Sequence, residues 1–111
     1  MENERVIYNY FTGHPQNVVS DVLRSISAYT RADRVTAFKI GITNNPERRF
    51  QEAYDHYYSK MAVVYKSTSI NNVAELEREL IKHNKGLADN IIAGGGGREG
   101  RPPYFMYVVM R

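Results

Sequence analysis

The sequence predicts an α+β fold: a small, mostly antiparallel β-sheet of three to four strands flanked by about three helices. Its length of 111 residues suits a single domain with one modest core. Short runs of β-branched and aromatic residues alternate along the chain with segments of helical periodicity. Asparagine, glycine and proline stand between these segments, where turns are needed. We therefore expect one domain over residues 1–111.

The predicted elements follow one another in a simple order. Strands are predicted at 5–11, 35–42, 61–65 and 104–110. Helices are predicted at 16–30, 46–58 and 73–84. Asn45 and Asn72 are the expected N-caps of the second and third helices, and Gly86 is expected to end the third.

The composition excludes several kinds of site. Without cysteine there is no disulfide, no cysteine zinc site and no thiol nucleophile. The three histidines are too widely spaced for a local metal motif. No apolar run approaches the roughly 20 residues of a membrane helix, and the amino terminus lacks a secretory signal, so we expect a cytoplasmic protein without membrane contact. A net charge of +3 suits a polyanionic partner such as nucleic acid.

The third predicted helix carries a glutamate on its apolar side. At about 100° per residue, the apolar side chains form a stripe with Glu77 in its middle, whereas Glu75 and Glu79 lie on the solvent side. A buried, unpaired carboxylate costs several kcal/mol, so Glu77 needs a cation or hydrogen-bond donors. Two interpretations stay open at this point. One is structural, either a salt bridge in the core or a helix rotated so that Glu77 sits at the edge, and the other is a magnesium site with a single carboxylate.

The second predicted helix carries an arginine at the border of its apolar face, which is predicted to consist of Phe50, Ala53, Tyr54 and Tyr57. Arg49 lies at this border with His56 beside it, while Arg48 points to water. A border arginine commonly covers apolar surface with its stem. A guanidinium held there can instead face a phosphate.

Residues 39–50, KIGITNNPERRF, resemble the second motif and following helix of the GIY-YIG nucleases. The lysine before Ile-Gly is similar to the viral and phage branch of that superfamily. Residues 76–82, LERELIK, resemble the helix that carries the family's metal glutamate, and Val6-Ile7-Tyr8 stands where the first motif is expected. The resemblance covers about 35–93 and the first strand.

The resemblance implies a role for each matching residue. Arg49, eight positions after the motif glycine Gly41, matches the key arginine; Glu77 matches the metal ligand and Asn90 the late asparagine. Tyr8 matches the mechanistic tyrosine, with Tyr10 as the alternative.

The chain departs from the family pattern at three places. Lys39 replaces the second motif's tyrosine, and Val6 replaces the first motif's glycine. The helix 16–30 is inserted between two strands that the family commonly joins by a short hairpin.

By this resemblance, the protein is expected to be a magnesium-dependent endonuclease that hydrolyses phosphodiester bonds, of DNA in preference to RNA. Glu77 would hold Mg²⁺, or Mn²⁺ in its place, and Tyr8 would accept a proton from the attacking water. Arg49 would stabilise the charged transition state, and Lys39 would help to lower the pKa of the phenol. Asn90 would brace the site. The alternative is a binding module for nucleic acid or a nucleotide, on the same scaffold with weakened chemistry.

The carboxyl-terminal part of the sequence adds two expectations. The glycine-rich loop 94–103 is either a nucleic-acid contact or a mobile connector, and the basic residues expected to contact nucleic acid are Arg48, His56, Arg98 and Arg101. The last strand is apolar on both faces, so it is either a buried strand or an edge that pairs with a second copy. A homo-oligomer through this strand, or a targeting partner, would supplement the modest positive charge.

Overall fold

A mixed four-stranded sheet with helices on both faces forms the described part of the chain, and it confirms the predicted fold class. The computed structural model describes residues 5–31, 35–83 and 100–111. The strands are β1 Val6–Phe11, β2 Phe38–Thr43, β3 Lys60–Ser67 and β4 Tyr104–Met110. The helices are α1 Pro15–Thr30, α2 Pro46–Arg49, which continues directly into a π-helical segment Phe50–Tyr54, and α3 Ile70–His83.

The strand order is β1-β3-β4-β2, with β1 parallel to β3 and the other two pairs antiparallel. The last strand, β4, therefore lies inside the sheet and has a hydrogen-bonded neighbour on each side. This placement decides between the two expectations for that strand: it is buried, and the expectation that its edge joins a second copy is wrong. A central strand needs apolar side chains on both faces because both faces are covered.

Two apolar clusters lie on opposite faces of the sheet. On one face, α1 and α3 pack Val22 and Leu76 against Ile40, Val64 and Val108. On the other face, the π-helical segment packs Phe50 and Tyr54 against side chains such as Met61, Val63 and Val109. The period-two alternation of each strand sends successive side chains to opposite faces, so each inner strand contributes to both clusters.

The N-cap of α2 is the predicted residue, whereas the N-cap of α3 differs from the predicted one. The side chain of Asn45 accepts a hydrogen bond from the backbone N–H of Arg48 at 3.1 Å, as expected of its N-cap. At α3 the N-cap is Ser69, whose hydroxyl accepts from the N–H of Asn72 at 3.2 Å. Asn72 therefore lies within the first turn, and its assignment as the cap was wrong by one turn. The expected end at Gly86 lies outside the described residues.

The predicted helix 46–58 is shorter and differently wound. The backbone N–H of Asp55 donates to the carbonyl of Phe50 at 2.8 Å, which is the five-residue spacing of a π-helix. A π-helix has more residues per turn than an α-helix, so side chains four apart align along it. Tyr54 and Tyr58 are consequently buried, and Tyr57, which the α-helical wheel placed on the apolar face, is 59% exposed.

The predicted inserted helix 16–30 is present as α1 and lies on the same face of the sheet as α3. No helix in the described ranges is long and apolar enough to cross a membrane.

Candidate active site

Glu77 lies in the interior of the protein. Its side chain is 2% exposed and belongs to the buried face of α3, beside Val73, Leu76 and Ile81. The burial that the helical wheel predicted for Glu77 is therefore confirmed. Glu79 on the same helix is exposed, and Glu75 is half-buried. Burial removes the screening by water, so the charge of Glu77 acts strongly on groups near it.

Arg49 is half-buried at the end of α2, as its border position predicted. It lines a small cleft of about 160 Å³ between α2 and the end of β2. The other lining residues are Thr43, Asn44, Asn45, Arg48 and Glu52. Two guanidinium groups and two asparagine amides give this cleft the donors that a phosphate oxygen needs.

A buried phenol lies between the elements that carry Arg49 and Glu77. Tyr107 on β4 is opposite Gly41 on β2, and a methyl group at Gly41 would overlap the Tyr107 ring. The motif glycine therefore makes room for this phenol. The hydroxyl of Tyr107 also forms a 2.6 Å hydrogen bond with the hydroxyl of Tyr54 from the π-helical segment.

The surroundings of Tyr107 keep its phenol protonated. Burial raises the pKa of Tyr107 well above the ordinary value of 10.0, and the neighbouring Tyr54 raises it further. The guanidinium of Arg49 opposes this shift in pKa, and the carboxylate of Glu77 adds to it. Arg49 and Glu77 therefore act electrostatically on the same hydroxyl group. They come from different helices: α3 and the π-helical continuation of α2 pack on opposite faces of the sheet, and Tyr107 belongs to a strand of that sheet.

Tyr8 lies on the same sheet face as Tyr107 but bonds to a different partner. Tyr8 is opposite Val63, and Val63 is opposite Tyr107, so the three side chains form one row across the sheet. The hydroxyl of Tyr8 donates to the carboxylate of Glu47 at 2.5 Å. Glu47 and Arg49 are two residues apart on α2 and project roughly 200° apart around its axis. The contact of Tyr8 with Glu47 and the side chain of Arg49 thus lie on different sides of α2.

Lys39 projects from β2 toward the face that carries Tyr107. Its Nζ lies 5.7 Å from the ring centroid of Tyr54, within cation–π range. Lys39 precedes Gly41 by two residues, so the two positions share a face of the sheet. The ammonium group that replaces the motif tyrosine is therefore next to the Tyr54–Tyr107 pair.

The remaining predicted residues that the structure describes lie at the surface. Arg48 lines the cleft and pairs with Glu52 at 2.9 Å, which raises the pKa of its guanidinium through the hydrogen bond and the charge of Glu52. The backbone carbonyl of Arg101 accepts a bond from Asn44 at 3.3 Å, so this end of the glycine-rich loop adjoins the cleft. His56 follows the π-helical segment and is exposed. Asn90 and Arg98 lie outside the described residues.

The comparison with protein families identifies the chain. The model of the T5orf172 domain matches residues 9–100, which is most of the sequence. The chain belongs to the T5orf172 domain family. No curated protein and no solved structure matches it. The T5orf172 domain is phage-associated and nuclease-like, and the family indicates an interaction with nucleic acid.

Two residues of the candidate site in this T5orf172 domain, Tyr54 and Tyr107, were not predicted from the sequence. Tyr54 was assigned to the core, and Tyr107 lay in a strand apolar on both faces, where periodicity marks no residue as special. The available signal was Gly41: a glycine inside a buried strand often marks a close approach by another group. The sequence does not show which side chain approaches, because Tyr107 is 66 residues away along the chain.

The donor set suits an ion that needs few protein ligands. No three histidine, aspartate or glutamate side chains cluster as a metal site in ranges 5–31, 35–83 and 100–111. Glu77 is a single buried carboxylate on α3, and the residues that line the Arg49 cleft come from β2, α2 and the segment that follows it. Mg²⁺ is commonly held by one or two carboxylates while it keeps several waters. The residues of this T5orf172 domain are therefore compatible with a one-carboxylate magnesium site and unlike a zinc site.

Proposed function

We propose that this T5orf172 domain is a metal-dependent endonuclease that hydrolyses phosphodiester bonds of nucleic acid, DNA in preference to RNA. One observation carries the proposal: the buried carboxylate of Glu77 and the half-buried guanidinium of Arg49 act on the same phenol, that of Tyr107. Opposite charges that act on one buried phenol, with a polar cleft at the arginine, are typical of a functional site, and the arginine suits phosphoryl chemistry. The resemblance to GIY-YIG nucleases and the nuclease-like family support the same activity.

Arg49 binds the scissile phosphate in this proposal. Its guanidinium lines the cleft with the amides of Asn44 and Asn45, which can donate to the non-bridging oxygens. The negative charge on these oxygens grows as water attacks phosphorus. Because Arg49 is half-buried, its interaction with that charge is less screened than on an open surface.

Glu77 would hold the metal ion, and Asn90 would brace the site, as the resemblance implies. Bound Mg²⁺, or Mn²⁺ in its place, supplies positive charge at the phosphate and makes nearby water more acidic. The protein contributes a carboxylate that packing holds in place, since Glu77 is surrounded by apolar side chains of α3. Lys39 adds a second positive charge on the side of the sheet that Tyr107 occupies.

Tyr8 accepts the proton of the attacking water in this proposal. Its phenol is 37% exposed and already donates to a carboxylate, that of Glu47, so its own proton has an acceptor nearby. Tyr107 cannot take this role at neutral pH, because burial raises its pKa and keeps its hydroxyl protonated. Tyr107 instead positions the groups around it through hydrogen bonding and packing.

The experiment compares cleavage of labelled single- and double-stranded DNA and RNA with Mg²⁺ and with chelator. We expect cleavage with metal only. Glu77→Gln should lower the rate about 100-fold or more, because it removes the metal ligand itself. Glu79→Gln, an exposed glutamate on the same helix, should leave the rate unchanged.

Two outcomes would overturn the proposal. A Glu77→Gln variant that cuts as fast as the wild type, and is folded by circular dichroism, removes Glu77 from the site. Binding of nucleic acid by the wild type without any cleavage in Mg²⁺ or Mn²⁺ indicates the alternative function, a binding module.

A further inference from the structure

A second group of exposed side chains lies on the sheet face that carries Tyr8 and Tyr107. Three of the four exposed large apolar residues in the described ranges belong to β1, namely Tyr8, Tyr10 and Phe11. The strand is irregular between Tyr8 and Phe11, where it gains a residue relative to β3. Tyr8 and Tyr10 share one face, and Tyr10 is 40% exposed.

Tyr10 belongs to a cluster that combines aromatic rings with a positive charge. Its ring meets the ring of Phe105 edge to face, with centroids 6.3 Å apart. The Nζ of Lys66 lies 5.6 Å from the Tyr10 centroid and 5.7 Å from the Phe105 centroid. Lys66 and Phe105 are direct neighbours on β3 and β4, so the sheet itself fixes the spacing of this cluster.

A groove of about 380 Å³ opens beside the cluster, and we name it the Tyr10 groove. It is lined by Tyr10, Thr12, Gly13, Lys66, Ser67, Thr68 and Asn72. The lining combines three aliphatic hydroxyl groups, the phenol of Tyr10, one amide and one ammonium, and it includes no carboxylate. These are the groups that donate to phosphates and sugars in nucleic-acid complexes.

We propose that the Tyr10 groove binds an unpaired nucleotide of a single-stranded nucleic acid, stacking the base on Tyr10 and pairing its phosphate with Lys66. The inference rests on the proposed function, because it identifies a single-stranded segment as part of the substrate of the same domain. An exposed ring beside a cation and hydroxyl groups matches the chemistry of single-strand binding. Paired bases in a duplex present only their edges, so a stacking site selects unpaired ones.

The position of the groove connects it to the candidate active site. Lys66 and Phe105 are the next same-face positions after Val63 and Tyr107 along their strands. Two residues of strand span about 7 Å, so the groove adjoins the row that contains Tyr8. A nucleic-acid strand that lies along this face can contact the Tyr10 groove and approach α2 at the same time.

Binding is tested with fluorescein-labelled oligo(dT) and oligo(U) of about ten nucleotides, and with a blunt hairpin duplex, by fluorescence anisotropy in EDTA. Chelation of the metal separates binding from cleavage. Tyr10→Leu should weaken binding to the single strands about tenfold, because base–ring stacking is worth that much, and should change duplex binding less than about twofold. Tyr10→Phe keeps the ring and should bind as the wild type does.

Tyr57→Leu is the matched control. Tyr57 is also an exposed tyrosine with a cation over its ring, the guanidinium of Arg111 at 3.7 Å, but it adjoins the opposite end of the sheet. We expect this variant to bind single strands as tightly as the wild type. Lys66→Met should reduce the salt dependence of single-strand binding, with the slope of log K against log salt falling by about 0.7.

Three results would overturn the inference: unchanged single-strand binding in Tyr10→Leu, an equal loss in Tyr10→Phe, or a preference of the wild type for the duplex. Failure of the inference is distinct from failure of the proposed nuclease. Metal-dependent cleavage with unchanged binding in Tyr10→Leu rejects the groove and retains the nuclease. Tyr10-dependent binding without any cleavage rejects the nuclease and retains the groove.

Discussion

Each tyrosine near the candidate site has a different environment, and the environment fixes what its hydroxyl can do. Tyr107 is buried against Gly41 and Tyr54, which raises its pKa and limits it to positioning. Tyr8 is partly exposed and donates to Glu47, so it can exchange its proton with solvent. Within the described residues, the hydroxyl of Tyr10 has no hydrogen bond to a carboxylate, and its ring lies beside Lys66. In our proposals, these three tyrosines thus serve different roles: packing for Tyr107, proton transfer for Tyr8 and base stacking for Tyr10.

The proton-transfer role predicts a difference between two exposed tyrosines two residues apart. Tyr8→Phe should lower kcat about 100-fold or more, because it removes the general base, while binding in EDTA stays unchanged. Tyr10→Phe should keep kcat, since only its ring is needed. Single-turnover cleavage of a labelled oligonucleotide measures both. A Tyr8→Phe variant with normal kcat, or a Tyr10→Phe variant that loses it, would reassign the proton acceptor.

At the level of elements, short local signals set where the site's helices begin. Asn45 starts α2 and so fixes the position of Arg49 relative to the end of β2. Ser69 starts α3, the helix whose apolar stripe includes the buried Glu77. The π-helical segment after Arg49 carries Tyr54, whose hydroxyl is hydrogen-bonded to that of Tyr107. Helix ends and winding therefore orient the functional side chains.

Two substitutions distinguish the N-cap of α3 found in the structure from the one expected from sequence. Ser69→Ala should lower the free energy of unfolding by about 1 kcal/mol, since it removes the cap acceptor. Asn72→Ala should change it by less than about 0.5 kcal/mol, because Asn72 is in the first turn and its backbone N–H still donates. Urea unfolding followed by circular dichroism measures both. The reverse ranking would place the cap at Asn72.

For the whole molecule, the central position of the last strand has the largest consequence. In the described residues β2 has β4 as its sheet partner, and β4 joins β2 to β3 and β1. The strand that carries Lys39 and Gly41 is therefore held in place by a segment from the other end of the chain. Because β4 also contributes Tyr107, the fold and the candidate site depend on the same long-range pairing.

Removal of residues 104–111 should consequently abolish cooperative folding. The truncated chain loses both ladders of β4 and exposes apolar side chains of both clusters. We expect no sigmoidal urea transition and loss of most strand signal in circular dichroism, with the full-length chain as the comparison. A truncated chain that still unfolds cooperatively would show that β1, β3 and the helices form an independent unit.

The sequence by itself determined the features that depend on local periodicity. The α+β class, the elements and the burial of Glu77 follow from apolar side chains recurring every 3.6 or 2 residues, and the Asn45 cap from a local hydrogen bond. The border position of Arg49 follows in the same way.

Only the tertiary structure decided which distant groups meet. The strand order, the interior place of β4 and the pairing of Tyr107 with Gly41 join segments more than 35 residues apart. The local pattern carries no information about such partners, because a period of two shows which side chains share a face of the strand but not which residues pack against that face. The sequence also did not predict the π-helical winding, since the same residues fit an α-helical wheel. The π-helical segment appears only in the folded protein, where Tyr54 and Tyr58 pack against the sheet.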